Sequence, residues 1–124
     1  MIIGIDHIVL TVRSLDVTCE FYARVLGFRR SDVQGQPTGL HFGQQKINVH
    51  ETGRTFDPKA VHPTPGSADV CFITEQSIEE VCCHLKECNV EVEVGPISRT
   101  GARGEMTSVY FRDPDNNLIE VASY

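Results

Sequence analysis

Positive charge is scarce in this chain. Eleven Lys and Arg stand against 17 Asp and Glu, a formal net charge of −6. That balance disfavours a nucleic-acid partner, because phosphate binding needs a clustered cationic excess. Long apolar runs are also missing. None approaches the ~20 residues that span a bilayer, so no membrane partner is expected. The opening Met1-Ile2-Ile3-Gly4-Ile5-Asp6 has no basic segment ahead of its apolar residues and meets a charge early, unlike a secretory leader. A cytoplasmic location is the expectation. No GxxxxGK phosphate loop and no GxSxG nucleophile elbow occurs, which argues against nucleotide binding and a serine hydrolase. Cysteine is present (positions 19, 71, 82, 83 and 88) but the count is odd and no CxxC pair or zinc-finger spacing appears. The expected state is buried, reduced thiols acting as small hydrophobes, with Cys83 the one expected at the surface.

What the chain does contain is a repeat of pattern. Displaced by 62 positions, the stretch Ile5–Phe28 falls on Ser67–Val90, with His7 on Asp69, Ile8 on Val70 and Val9 on Cys71. Each copy reads as an apolar strand, a polar turn, an amphipathic helix and further strands. A unit that small has little interior of its own and must share a core with another unit.

The first unit, about residues 4–51, reads βαβββ. Ile5–Val12 alternates as a strand. Ser14 is the expected N-cap of a helix through Leu26, which Gly27 ends. Strands follow at Phe28–Val33, Thr38–Phe42 and Lys46–His50. Glu51–Gly66, with Pro58, Pro63 and Pro65, reads as a connector. The second unit, about 67–124, repeats the order. Ala68–Thr74 is a strand, and Ser77-Ile78-Glu79-Glu80 is a capping box opening a helix to about Cys88. Glu91–Val94 is a short strand and Gly95–Glu105 a Gly-rich loop. Met106–Arg112 and Leu118–Ala122 are strands about the turn Asp113-Pro114-Asp115-Asn116.

That order, opening IDHIVLTV and closing FRDPDNNLIEV, resembles the glyoxalase/bleomycin-resistance/dioxygenase family, also called vicinal oxygen chelate proteins. Asp6-His7-Ile8, the Phe21-Tyr22…Leu26-Gly27-Phe28 spacing and Phe111–Glu120 carry the likeness. Gly43–Glu51, Phe56, Pro58-Lys59-Ala60 and Pro65-Gly66-Ser67 more narrowly resemble the glyoxalase domain-containing protein 5 group. The implied fold is α+β, two βαβββ modules forming a half-open eight-stranded barrel with the helices outside, as one domain over 1–124.

The repeat itself points to a site. It pairs His7 with Asp69, and Lys46–His50 with Leu118–Ala122, so Asn48 stands opposite Glu120. Period-two alternation turns Asn48, His50 and Glu120 away from Ile47, Val49, Ile119 and Val121. If the strands curve, these residues face a concavity whose imidazoles and carboxylates suit a divalent first-row metal.

The resemblance places metal ligands at the matching positions: His7, Asp69 and Glu120, with His50 or Asn48 as further candidates. Glyoxalase I proteins usually carry Glu at the Asn48 position and His at the Asp69 position, so this set departs from theirs. It further implies Glu120 as the proton-moving catalytic residue, and Arg103, Arg99 and Asn48 as substrate contacts, the arginines on a loop over the site. The implied cofactor is a divalent ion (Zn, Ni, Mn or Fe), with glutathione a candidate co-substrate. The expected activity is a metal-dependent lyase or isomerase on a small oxygen-chelating substrate, lactoylglutathione-lyase-like in its specific form. Ring-cleaving oxygenation, thiol transfer to an antibiotic, and metal-free ligand sequestration are the alternatives. A homodimer is expected, since proteins of this kind and length usually pair.

Overall fold

The computed structural model describes all 124 residues, Met1–Tyr124. The chain divides into two compact units, Met1–Ser67 and Ala68–Tyr124. Each is one βαβββ module.

In the first unit the order is β1 (His7–Val12), α1 (Leu15–Leu26), β2 (Arg29–Ser31), β3 (Thr38–Phe42) and β4 (Gln45–Glu51). The strands form one mixed sheet in the order β1-β4-β3-β2, with β1 parallel to β4 and the remaining pairs antiparallel. Helix α1 starts where Ser14 Oγ accepts from Val17 N, and Glu51 Oε1 takes the free Leu15 N–H at 3.0 Å. The last strand of the module thereby caps its helix, satisfying two of the four orphan donors. The helix stops at Gly27, whose φ of 71° is left-handed and suits a residue without Cβ. Thr18, Cys19, Phe21, Tyr22 and Val25 are its buried stripe. Across from that stripe, Leu10, Val12, Leu40, Ile47 and Val49 are buried on one face of the sheet. Phe28 stacks on Phe42 at 4.4 Å between ring centroids and closes the end of this core.

The second unit repeats the design with β5 (Asp69–Ile73), α2 (Ile78–Glu87), β6 (Val94–Gly101), β7 (Gly104–Arg112) and β8 (Leu118–Ser123). Its sheet runs β5-β8-β7-β6, and β5 is parallel to β8. The capping box forms in full: Ser77 Oγ accepts from Glu80 N, and Glu80 Oε2 accepts from Ser77 N at 2.9 Å. Asn89, at φ 57°, ends the helix, and the Val90 N–H to Leu85 carbonyl bond satisfies one of its last acceptors. Ile78, Val81 and Leu85 pack toward Val109, Phe111, Ile119 and Val121, all buried.

Besides Glu91–Val94, of which only Val94 belongs to a strand, two expectations need correction. Gly95–Glu105 is not a loop. It is most of β6 and a two-residue hairpin turn, Ala102-Arg103, flanked by the paired Gly101 and Gly104. The glycines that suggested a loop serve the turn and a bulge: the pairing shifts between Val94 and Ile97, and at Gly95 (φ 108°) a Cβ would come within 2.5 Å of the Ser108 carbonyl. The second correction concerns Cys71, which is exposed, because β5 is an edge strand and Cys71 lies on the face away from α2. Cys19 is buried, Cys82 and Cys88 are half-buried, Cys83 is exposed, and all five are free thiols. No helix is long and apolar enough to cross a membrane.

Candidate functional site

Register decides which side chains share the face opposite each helix. In the first unit His7 lies beside Lys46, Val9 beside Asn48 and Thr11 beside His50. These six project from one face, and Asn48, His50 and Thr11 on it are buried. In the second unit Asp69 lies beside Leu118 and Cys71 beside Glu120. The two modules match row for row. His7 and Asn48 occupy in one the places that Asp69 and Glu120 occupy in the other.

The strand ends are tied so that this register holds. Gln45 Nε2 donates to the Ile5 carbonyl at 2.7 Å, and Thr52 N donates to the Val12 carbonyl at 2.9 Å. In the second unit the closing turn does the work. Asp113 Oδ1 accepts from the backbone N–H groups of Asp115 and Asn117 at 2.9 Å each, and its Oδ2 accepts from Asn117 Nδ2 at 2.8 Å. Asn117 Oδ1 then accepts from Ala68 N at 2.9 Å, which seats the start of β5 against the start of β8. The DPDNN motif is therefore a clasp that positions Glu120.

The donor atoms themselves are of two kinds. His7 Nδ1 is bonded to Asp6 Oδ1 at 2.7 Å, which leaves Nε2 with its lone pair outward when Nδ1 carries the proton. The same contact holds the Asp6 carboxyl below its usual range, first through the hydrogen bond and then through charge. By contrast, Asn48 Oδ1, His50 Nδ1 and Glu120 Oε1 are buried atoms with no hydrogen-bond partner. Such orphans are rare and call for a ligand or another explanation. Burial, and to a lesser extent Lys59, lowers the His50 pKa and keeps its ring neutral. Its ring lies 5.3 Å from that of Phe56. A carboxylate-oriented imidazole, a neutral imidazole, an amide oxygen and a carboxylate are donors that first-row divalent ions accept, so the residues fit such an ion chemically. Neither unit gathers three His, Cys, Asp or Glu side chains around one point. His50 is two rows from His7, roughly 13 Å along β4, whereas Asn48 is one row away.

Three neighbours of Glu120 escaped sequence reasoning. Tyr110 lies directly across from it, and Arg99 Nε donates to the Tyr110 hydroxyl at 3.1 Å. Burial raises the Tyr110 pKa above its ordinary value. Cys71 stands on the other side; desolvation, then the carboxylates of Glu120 and Asp69, push its thiol up to about 11 although the residue as a whole is exposed. That thiol is protonated at neutral pH and a poor nucleophile. Ser108 Oγ, fully buried on the same face, has no partner. Alternation along β7 was the available signal for Tyr110 and Ser108, once β7 was paired to β8.

Arg99 thus reaches this face, from a strand rather than a loop. Arg103 does not come near Glu120 within its unit. It sits at the hairpin tip with its guanidinium 4.3 Å from the Tyr124 ring centroid and its N–H on the Tyr124 hydroxyl. Six residues of β7, roughly 20 Å, separate Gly104 from Tyr110.

A family model for the glyoxalase/bleomycin resistance protein/dioxygenase superfamily matches residues 4–121. The chain belongs to that superfamily. Within it, the chain is 48% identical over 120 residues to the virulence protein STM3117 of Salmonella typhimurium, covering 97% of this chain and 83% of that protein. The crystal structure of that protein is similar with a TM-score of 0.98, covering 100% of this chain and 98% of the other. A glyoxalase domain-containing protein, RDO1 of Mycosarcoma maydis, is 48% identical over 121 residues, 98% of this chain and 68% of the relative. A lactoylglutathione lyase from Agrobacterium tumefaciens shares the fold at a TM-score of 0.73 and 24% identity, covering 97% of this chain and 92% of that one. The superfamily's two-module α+β fold is therefore the fold of this chain.

Proposed function

We propose that this superfamily member is a metal-dependent lyase or isomerase of the glyoxalase type, acting on a small substrate with two adjacent oxygens. The observation that carries the reading is Glu120: its Oε1 is buried and unpartnered, on the same face as Asp69. His7, with Nδ1 held by Asp6, and Glu120 are the principal donors, joined by Asp69 and by Asn48 or His50. Neither unit gathers three His, Cys, Asp or Glu donors by itself, so Asn48 or a substrate oxygen would have to complete the coordination. When bound, a divalent ion supplies Lewis-acid stabilisation of the oxyanion that develops as a proton leaves carbon. Glu120 moves that proton between adjacent carbons. The Tyr110 hydroxyl accepts from Arg99, so its own proton is free to be donated on the Glu120 side. Asn48 offers its amide to a substrate oxygen. The fold shared with a lactoylglutathione lyase supports a hemithioacetal of glutathione as the first substrate to try.

The decisive test pairs elemental analysis with turnover. Purified protein is expected to hold near-stoichiometric Zn, Ni, Mn or Fe and to consume the glutathione–methylglyoxal hemithioacetal, with Glu120→Gln slower by at least ~100-fold, the typical contribution of one positioned general acid–base group. A second reading, a metal-free module that sequesters a ligand, is favoured by the absence of any three-donor cluster within a unit. Protein without stoichiometric metal and without a gain in Tm on adding these ions would leave that second reading in place.

A further inference from the structure

We propose that the sheet of the first unit carries a binding site for small oxyanions, built on Arg29, His41 and Lys46, independent of the candidate metal donors' chemistry. The residues come from three different strands, and only the register brings them together. Arg29 on β2 pairs with His41 on β3, His41 pairs with Lys46 on β4, and Lys46 lies beside His7 on β1. Side chains of directly paired residues project from the same face, so four nitrogen-bearing groups form one row across the sheet.

The row borders an open groove of about 540 Å³, lined by Asp6, Arg29, His41, Lys46 and the Gly43–Gln45 turn. That is the size of a small-molecule site. Neither cation in it forms a close ion pair, although Lys46 acts on Asp6 through charge. Arg24, Arg30, Lys59 and Arg112 are each ion-paired, whereas Arg29 and Lys46 have no such partner. In a chain of net charge −6, two unpaired cations flanking one groove give it a locally positive field that favours an anion. The two other members of the row are held in place rather than neutralised. Ser31 Oγ is 2.8 Å from His41 Nε2; with the hydroxyl donating, the ring proton sits on Nδ1 and can be given to a ligand. The Gly39 position makes room for that bond, since a Cβ there would stand 2.9 Å from Ser31 Oγ and 3.0 Å from His41 Nε2. Asp6 is the one carboxylate on the groove; it is hydrogen-bonded to His7 Nδ1 and feels the Lys46 charge without pairing with it.

Arg29 and Lys46 stand two strand spacings apart, roughly 10 Å at the backbone. Both side chains are long enough to converge on one carboxylate or phosphate over His41. A polyanion is disfavoured by the negative charge of the rest of the molecule. The ligand class is a small molecule bearing a carboxylate or phosphate.

Inorganic phosphate and glutathione serve as probes, the first for phosphate and the second for carboxylates, in calorimetric and two-dimensional NMR titrations at low ionic strength. Saturable binding is expected, with shifts centred on the Gly43–Lys46 amides. Arg29→Gln and Lys46→Met should each weaken it about tenfold, as expected for one charge-assisted hydrogen bond. Neither side chain is hydrogen-bonded or ion-paired, and Lys46 acts on Asp6 only through charge, so the variants should melt within a few degrees of the parent. Lys86→Met, on α2, should bind like the parent. Binding of phosphate alone with this dependence assigns a phosphorylated ligand, and of glutathione alone a carboxylate. No saturable binding of either probe at millimolar concentration overturns the site. So does equal weakening in Lys86→Met, or binding that survives Arg29→Gln and Lys46→Met but is lost in Glu120→Gln.

Discussion

His50 is a buried imidazole, 4% exposed, with an unpartnered Nδ1 and an aromatic ring against it. Desolvation first, and Lys59 second, disfavour its protonated form, so its pKa is lowered in the folded chain. In the unfolded chain it returns to about 6.5. Below that value the unfolded state binds the extra proton more readily, and stability falls as pH drops through the window beneath ~6.5. The effect of one group cannot exceed about 1.4 kcal/mol per pH unit. Urea midpoints at pH 7.5 and 5.5 should show a smaller drop for His50→Gln than for the parent; equal drops would refute the assignment. At this scale the sequence was informative where period-two alternation alone sufficed, as for Asn48, His50 and Glu120. It was silent on Ser31 with His41, and on Tyr110 with Glu120, because those contacts exist only once strands distant in sequence are paired.

The clasp at Asp113–Asn117 shows how an element boundary sets a functional residue. Asn117 is fully buried and serves two strands, donating to Asp113 Oδ2 and accepting from Ala68 N. Asn117→Ala removes one donor to the Asp113 carboxylate and the acceptor of the Ala68 N–H, at roughly 1–3 kcal/mol each, partly relieved by entering water. A net loss of about 2–4 kcal/mol is expected by urea denaturation, with the amide shifts of Cys71 and Glu120 moving together as the β5–β8 pairing loosens. A loss below ~0.5 kcal/mol would mean that the motif is only a turn. Both helices were legible to within a residue because their ends are chemical: Ser14 and Gly27, and Ser77, Glu80 and Asn89. Strand β6 was not, because glycine marks loops, hairpin tips and bulges alike, and only the pairing of Gly101 with Gly104 tells them apart.

For the molecule as a whole, the repeat leaves each module with an uncovered edge. β1 and β5, like β2 and β6 at the opposite ends, are outer strands of their sheets, each paired on one side only within its sheet. Along the first edge Ile5, Ile8 and Val9 are exposed, and along the second Ile73 is 62% exposed. Edge strands with apolar side chains are normally covered or blunted by charge. Here Asp6 and Asp69 are the only acidic residues at the starts of these strands, and the exposed Ile2 and Ile3 extend the apolar surface before β1. We propose a second copy of the chain as the occupant of such an edge, since a twofold interface uses the same patch on each partner. Light scattering at micromolar concentration should therefore give a dimer near twice 13.8 kDa. Val9→Lys, which puts charge on the β1 edge without touching the helix-side core, should shift that equilibrium toward monomer. A monomeric parent would sink the assembly. A parent dimer whose dissociation constant Val9→Lys leaves unchanged would place the interface on another surface.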